Sequence, residues 1–171
     1  MTARSASTDV GPVADVSEFA GWYEVAFPRL VGLAALLVGS RDIAADLTQD
    51  ALVKVLSRWG RFDDPDRYAR RAVVNTCNSY LRRQILVRRF ASPSTATTVE
   101  AHDLPATADV DDRLRAGLAT LRPQERTVLV LRFWMELSEA EICETTGLKR
   151  GTVASSMHRG LRQLRETMGD V

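Results

Sequence analysis

Five side chains near the carboxy terminus have the chemistry to hold a polyanion and read its edges: Thr152, Ser155, Ser156, Arg159 and Arg162. Hydroxyls and guanidinium groups of this kind donate to phosphate oxygens and to base edges. All five face outward on a helix whose other side is Val153, Met157, Leu161 and Leu164, recurring at intervals of four, four and three. A shorter helix precedes it. Ser138 is its expected N-cap, Glu141 completes a capping box three residues on, and Ile142 is its buried residue. Gly147 suits the positive φ that ends such a helix, with Leu148 folding back as the apolar plug of the turn. A helical hairpin with a merely solvated outer face would share the arginines. The capping box, the glycine turn and the small polar residues opening the second helix add up to a helix-turn-helix that enters DNA.

A second constellation lies in residues 65–89, expected to form one helix opened by the turn Asp63, Asp64, Pro65, Asp66. It shows Arg67, Arg70, Arg71, Asn75, Asn78, Arg82 and Arg83, with Tyr68 and Tyr80 interleaved and Trp59 and Phe62 just before it. Aromatics beside cations are the means of holding unstacked bases. A core helix with a solvated flank would have the same composition, and this segment alone leaves both readings open. Its inward residues are expected among Ala69, Ala72, Val73, Thr76 and Leu81.

Catalytic chemistry has no counterpart in the sequence. There is no glycine-rich phosphate loop, no clustered acid/base pair and no nucleophile with a base beside it. Cys77 and Cys143 stand far apart without metal-ligand spacing, and His102 and His158 have no partner ligand nearby. The expectation is a protein that is not an enzyme and uses no metal and no cofactor, its cysteines being small core residues.

The elements that position these groups are helical, with no strand signals. Residues 18–27 form a short amphipathic helix, Pro28 opens another that runs to Val38, and Gly39 and Ser40 end it. A third helix starts at Asp42, with Ile43, Leu47, Ala51, Val55 and Leu56 inward and Asp46, Gln49, Asp50 and Lys54 outward. Residues 113–120 (Leu114 and Leu118 inward) and 124–135 (Val128, Leu129, Leu131 and Phe133 apolar) support the helix-turn-helix. Residues 1–16 read as a disordered tail, without the basic start and apolar run of a secretory signal. The longest apolar stretch, 30–38, is far short of the ~20 residues of a membrane span, so no membrane anchor and a cytoplasmic location are expected.

The net charge of +1 conceals segregation. Residues 61–91 carry eight arginines against three aspartates; residues 92–112 carry five acids and no Lys or Arg; residues 113–171 carry ten bases and seven acids. Two basic blocks flanking an acidic tether suggest two separate nucleic-acid contacts, each gaining affinity by releasing phosphate counterions. The fold class is all-α: two small helical domains, 17–90 and 111–171, joined by a flexible acidic linker at 91–110.

Over most of its length the chain resembles the extracytoplasmic-function (ECF) sigma factors of bacterial RNA polymerase, most of all the actinobacterial SigE-like subgroup. Residues 45–51, Ala-Asp-Leu-Thr-Gln-Asp-Ala, resemble the family's polymerase-docking segment; residues 68–76, Tyr-Ala-Arg-Arg-Ala-Val-Val-Asn-Thr, resemble its −10 melting helix. Leu121 to Arg126, the Ser138 to Ile142 segment and Gly151-Thr152-Val153 resemble its −35-reading domain. The resemblance implies sigma region 2 and region 4 domains. It implies contacts of Asp46, Gln49 and Asp50 with core polymerase, at the largest-subunit coiled coil and with a further contact on the flap. Phe62, Tyr68, Arg71, Asn75, Asn78 and Arg82 would serve the −10 element and its melting, Phe62 and Asn75 matching residues that shape the pocket for a flipped base. Arg132, Thr152, Ser155, Ser156, His158, Arg159 and Arg162 would face the −35 element. Ala154 and Ser156 replace basic residues common in the family. The implied partners are core RNA polymerase, double- and single-stranded promoter DNA, and an anti-sigma factor. A helix-turn-helix regulator of another kind, or a helical anti-sigma or scaffold protein without DNA contact, is the alternative.

Overall fold

The computed structural model describes residues 16–90 and 112–169, with side chains for 16–87 and 113–169. The expected linker and, except for Val16, the expected tail lie outside the described residues. Among those described there are seven helices and no strand: α1 (Val16–Val38), α2 (Arg41–Leu56), α3 (Pro65–Phe90), α4 (Asp112–Thr120), α5 (Pro123–Phe133), α6 (Glu139–Thr146) and α7 (Arg150–Met168).

The first unit packs α1, α2 and α3 against one another around Leu33, Leu37, Val55, Val73, Val74 and Cys77. One boundary differs from expectation, because α1 runs unbroken through Pro28. Pro28 and Glu24, whose carbonyl loses its amide partner to the proline, are both exposed, so water can take the vacant bond and the helix continues. The merged helix is long and apolar enough to cross a membrane by composition alone. Here its stripe of Ala26, Leu30, Leu33, Ala34 and Leu37 is buried within the helical core.

On α2 the buried stripe is Ala44, Thr48, Ala51, Leu52 and Val55, one residue round from the expected face. Ile43 and Leu47 are half-buried and Leu56 is exposed. The small Ala44 and Thr48 let neighbouring helices approach closely, and that packing outweighs the larger side chains beside them. Ser40 caps the helix by accepting from the Ile43 amide at 3.5 Å. On α3 the buried residues are Ala69, Val73, Val74 and Cys77, while Ala72, Thr76 and Leu81 are half-buried.

In the second unit α7 packs on α4, α5 and α6 over Val128, Leu131, Ile142 and Val153. A Cβ on Gly160 would stand 2.8 Å from Leu129 Cδ1, so glycine is what lets α7 lie this close to α5. Phe133, counted with the apolar residues of this helix, is 62% exposed because α5 ends there and the chain turns toward the buried Leu137.

The two units also touch. α5 and α6 lie against α1 and α3. The Arg126 guanidinium donates to Leu37 O at 2.8 Å across this boundary, and Thr127 Oγ1 donates to Asn78 Oδ1 at 3.2 Å. The Trp134 ring lies beside Gly32, where a Cβ would be 3.8 Å from it.

Candidate nucleic-acid interface

The capping box forms as its residue types dictate. Ser138 N–H donates to Glu141 Oε2 at 2.8 Å, and the Glu141 amide donates to Ser138 Oγ at 3.3 Å. The hydroxyl bond and then the backbone bond from Ser138 hold the Glu141 carboxyl below its ordinary value, with smaller help from the charges of Arg70 and Arg67. Gly147 takes φ 73° and donates to Cys143 O at 2.8 Å, closing α6. The turn then delivers α7, whose N-cap, Lys149, makes no side-chain bond to the helix end and whose first turn holds no acid. Amides left at such an end attract phosphate through hydrogen bonding and the helix dipole.

Of the groups expected on α7, His158, Arg159 and Arg162 are exposed, while Thr152 and Ser155 are half-buried. Ser155 Oγ donates back to Thr152 O at 3.1 Å. Ser156 corrects the sequence reading. It is fully buried, accepts from Gln124 Nε2 at 2.8 Å and cannot face DNA. Its position falls on the α5 side of the helix, where a small hydroxyl satisfied by an amide is tolerated.

Arg159 has two ties within the domain. Its Nε donates to Glu125 Oε1 at 3.0 Å, with the Glu125 side chain only 5% exposed and that of Arg159 44% exposed, and its Nη2 lies 3.5 Å from Ser156 Oγ. A guanidinium has five donors, so the pair fixes the side chain while leaving others for a ligand. Arg132 is exposed but braces the entry to the helix-turn-helix, donating to Leu137 O at 2.9 Å. Arg162 sits 3.8 Å from Glu166 on the same helix.

In the first unit, aromatic rings line up from α1 to α3. Phe62 and Tyr68 stack at 4.6 Å with 13° between planes, Trp59 meets Phe62 edge-on at 6.0 Å, and Phe19 and Trp22 each reach Trp59 at 5.0 Å. Asp64 Oδ1 accepts the Arg67 amide at 2.9 Å with Pro65 next to it, which is why α3 begins there. Arg58 Nη1 donates to the Tyr68 hydroxyl at 3.2 Å and so fixes the ring, a contact the sequence did not reveal. Arg71, Asn75 and Arg82 are exposed on one stripe of α3. Asn78 is on the same stripe but half-buried, held by Thr127. That contact lies between the two units, beyond the reach of helix periodicity.

On α2, Asp46, Gln49 and Asp50 are all exposed. Val53, 65% exposed, and Leu56, 43% exposed, extend their stripe. Of these two, Leu56 is the one expected inward, and the rotation of the helix turned it outward. Among the described residues no group of His, Cys, Asp and Glu is placed to hold a metal ion. Cys77 and Cys143 are free thiols; burial pushes the Cys77 thiol up to about 12.

Two family models match the chain: Sigma-70 region 2 over residues 22–87 and Sigma-70, region 4 over residues 111–164. The RNA polymerase sigma-E factor of Streptomyces coelicolor is 33% identical over 159 residues, which is 90% of this chain and 88% of the relative. ECF RNA polymerase sigma factor SigE of Mycolicibacterium smegmatis is 34% identical over 145 residues, 81% of this chain and 56% of that protein. The fold matches a sigma factor RpoE from Bartonella quintana, solved with the anti-sigma factor NepR, at a TM-score of 0.72 and 21% identity, over 89% of this chain and 97% of that one. The chain belongs to the sigma-70 family of RNA polymerase sigma factors. Such a protein binds core polymerase and directs promoter-specific initiation. Within the family it is an ECF sigma factor of the actinobacterial SigE-like kind.

Proposed function

We propose that residues 17–90 dock on core polymerase and open the −10 element, while residues 111–171 read the −35 element. The observation that carries this reading is the stacked Phe62 and Tyr68 pair at the start of α3, with the exposed Asn75 about two turns further along the same helix. An extruded base costs a few kcal/mol of unstacking, and an aromatic wall with an amide to read its edge is the chemistry that recovers it. Arg71 and Arg82 on the same stripe meet the strand's phosphates; Asn78 reaches a base-edge donor once its Oδ1 is released by the Thr127 hydroxyl.

On the −35 side Arg159 and Arg162 reach base edges or phosphates, His158, Thr152 and Ser155 make shorter contacts, and the bare α7 start takes a phosphate. Arg132 acts by holding the turn. Asp46, Gln49 and Asp50 meet basic groups of the polymerase coiled coil, with Val53 and Leu56 as the apolar part of that contact. The flap is the counterpart for the carboxy-terminal domain. The protein acts in the cytoplasm and is no enzyme: it lends recognition and traps an opened strand without hydrolysing nucleotide. An anti-sigma factor is a further partner, since the RpoE relative was solved with one.

Run-off transcription with purified core polymerase tests the whole. Promoter-dependent initiation is the expected result, and none on any candidate promoter would overturn the reading. Asn75→Ala should impair opening while leaving polymerase docking intact, whereas equal losses in both would remove the role given to Asn75.

A further inference from the structure

The first turns of α3 present cations to the acidic side of α6. Arg67 Nη2 lies 2.7 Å from Glu144 Oε2, both side chains more than half exposed. The charges of Arg70 and Arg67 also act on Glu141, on the same helix. Arg70 is half-buried, and its Nε is a buried donor with no hydrogen-bond partner. It lines a small cavity with Ala26, Arg29, Leu30, Asp66 and Met135. About two to three turns further along α3, Asn78 is held by Thr127 of α5. A cation of α3 therefore meets a carboxylate of the protein's own second domain, and an amide oxygen of α3 meets a hydroxyl donor of it.

We propose that Arg67 and Arg70 are further contacts to the promoter backbone, and that in the free chain the α6 carboxylate of Glu144 occupies the place of a phosphate. The inference rests on the reading of α3 as the −10 helix. It adds a competition that reading did not contain. A carboxylate and a phosphate oxygen satisfy the same guanidinium donors, so α6 and DNA cannot both hold Arg67. The acid that competes belongs to the helix-turn-helix itself. On the neighbouring α5 contact, Asn78 Oδ1 can likewise exchange the Thr127 hydroxyl for a donor on a base edge. Polymerase docking through α2 is independent of this exchange, since Asp46, Gln49 and Asp50 are exposed as the chain stands.

The test is binding of the full chain to a fluorescein-labelled oligothymidylate, because backbone contacts are sequence-independent. Glu144→Gln removes the competing charge without adding a cation. It should tighten binding about threefold to fivefold, the scale of an exposed ion pair. Glu24→Gln changes net charge equally on the exposed side of α1 and should leave binding within error. In an Arg67→Ala background the Glu144→Gln gain should vanish. Equal effects of Glu144→Gln and Glu24→Gln, or a gain that survives Arg67→Ala, would overturn the proposal. Run-off transcription by the unaltered chain separates the two levels. Initiation with no Glu144 effect sinks the competition alone; absence of initiation sinks the −10 reading, and this proposal with it.

Discussion

Replacing Arg159 should damage stability and recognition by separable routes, and the geometry says by how much. Arg159→Ala leaves the Glu125 carboxylate, only 5% exposed, without its 3.0 Å partner. Breaking a buried ion pair from one side costs about 3–5 kcal/mol. Here the guanidinium is 44% exposed and water can enter the space it vacates, which scales the loss to about 2 kcal/mol. For a chain of this size that is a fall of roughly 4–8 °C in Tm. Binding to the −35 element should weaken by a further ~1–3 kcal/mol. The double variant Glu125→Gln with Arg159→Ala exchanges the stranded charge for a neutral amide. It should regain more than half of the lost Tm and none of the lost DNA affinity. Thermal unfolding by circular dichroism and fluorescence anisotropy of holoenzyme on promoter duplex measure the two separately. An unchanged Tm for Arg159→Ala would refute the stabilising pair. Promoter affinity restored by Glu125→Gln would refute direct contact and make Arg159 a scaffold residue.

Other expectations follow from single contacts. Gly160→Ala must accommodate a Cβ 2.8 Å from Leu129 Cδ1, and overpacking should outweigh the helix-propensity gain, for a net loss of about 1–2 kcal/mol in urea unfolding. Ser138→Ala removes the α6 cap and should cost about 1 kcal/mol. Because the folded carboxyl of Glu141 lies below its unfolded value, the cap's ionic contribution is present above the unfolded value and fades as pH falls through the folded one. The difference between wild type and Ser138→Ala should therefore narrow on acidification, and a gap that widens would reverse the assignment. Cys77, buried and raised to about 12, should resist a thiol reagent at mildly alkaline pH until the chain unfolds, whereas the half-buried Cys143 should react in the native state.

Local chemistry was legible in the sequence wherever it was self-contained. Ser138 with Glu141, Gly147, and Asp64 beside Pro65 each settle their own backbone, and the structure has them as the residue types require. The stripe of Arg71, Asn75 and Arg82 follows from helical period alone. What depends on a second element was not legible. Pro28 signals a helix start by its missing amide, yet an exposed carbonyl four residues back makes the break unnecessary. Ser156 is polar and so was placed outward, but Gln124, thirty-two residues away, supplies the partner that lets it be buried. The α2 face turned because Ala44 and Thr48 pack more closely than the bulkier Ile43 and Leu47. Asn78 and Arg67 meet α5 and α6 through contacts that no periodicity within α3 encodes.

Arg126 gives the boundary between the two domains a thermodynamic character. Its guanidinium donates to Ala119 O and Leu121 O at the end of α4 and to Leu37 O near the end of α1, while burial lowers its pKa from the ordinary arginine value. One cation thus neutralises the negative ends of two helices from different domains. On separation the Arg126 bonds to α4 can persist, while the Leu37 carbonyl and the Arg126 nitrogen that held it have to find water. Trp134 would leave Gly32 in the same step and expose apolar surface. Opening should therefore carry a positive heat-capacity change below that of unfolding, the polar part of the junction lowering it and the apolar part raising it.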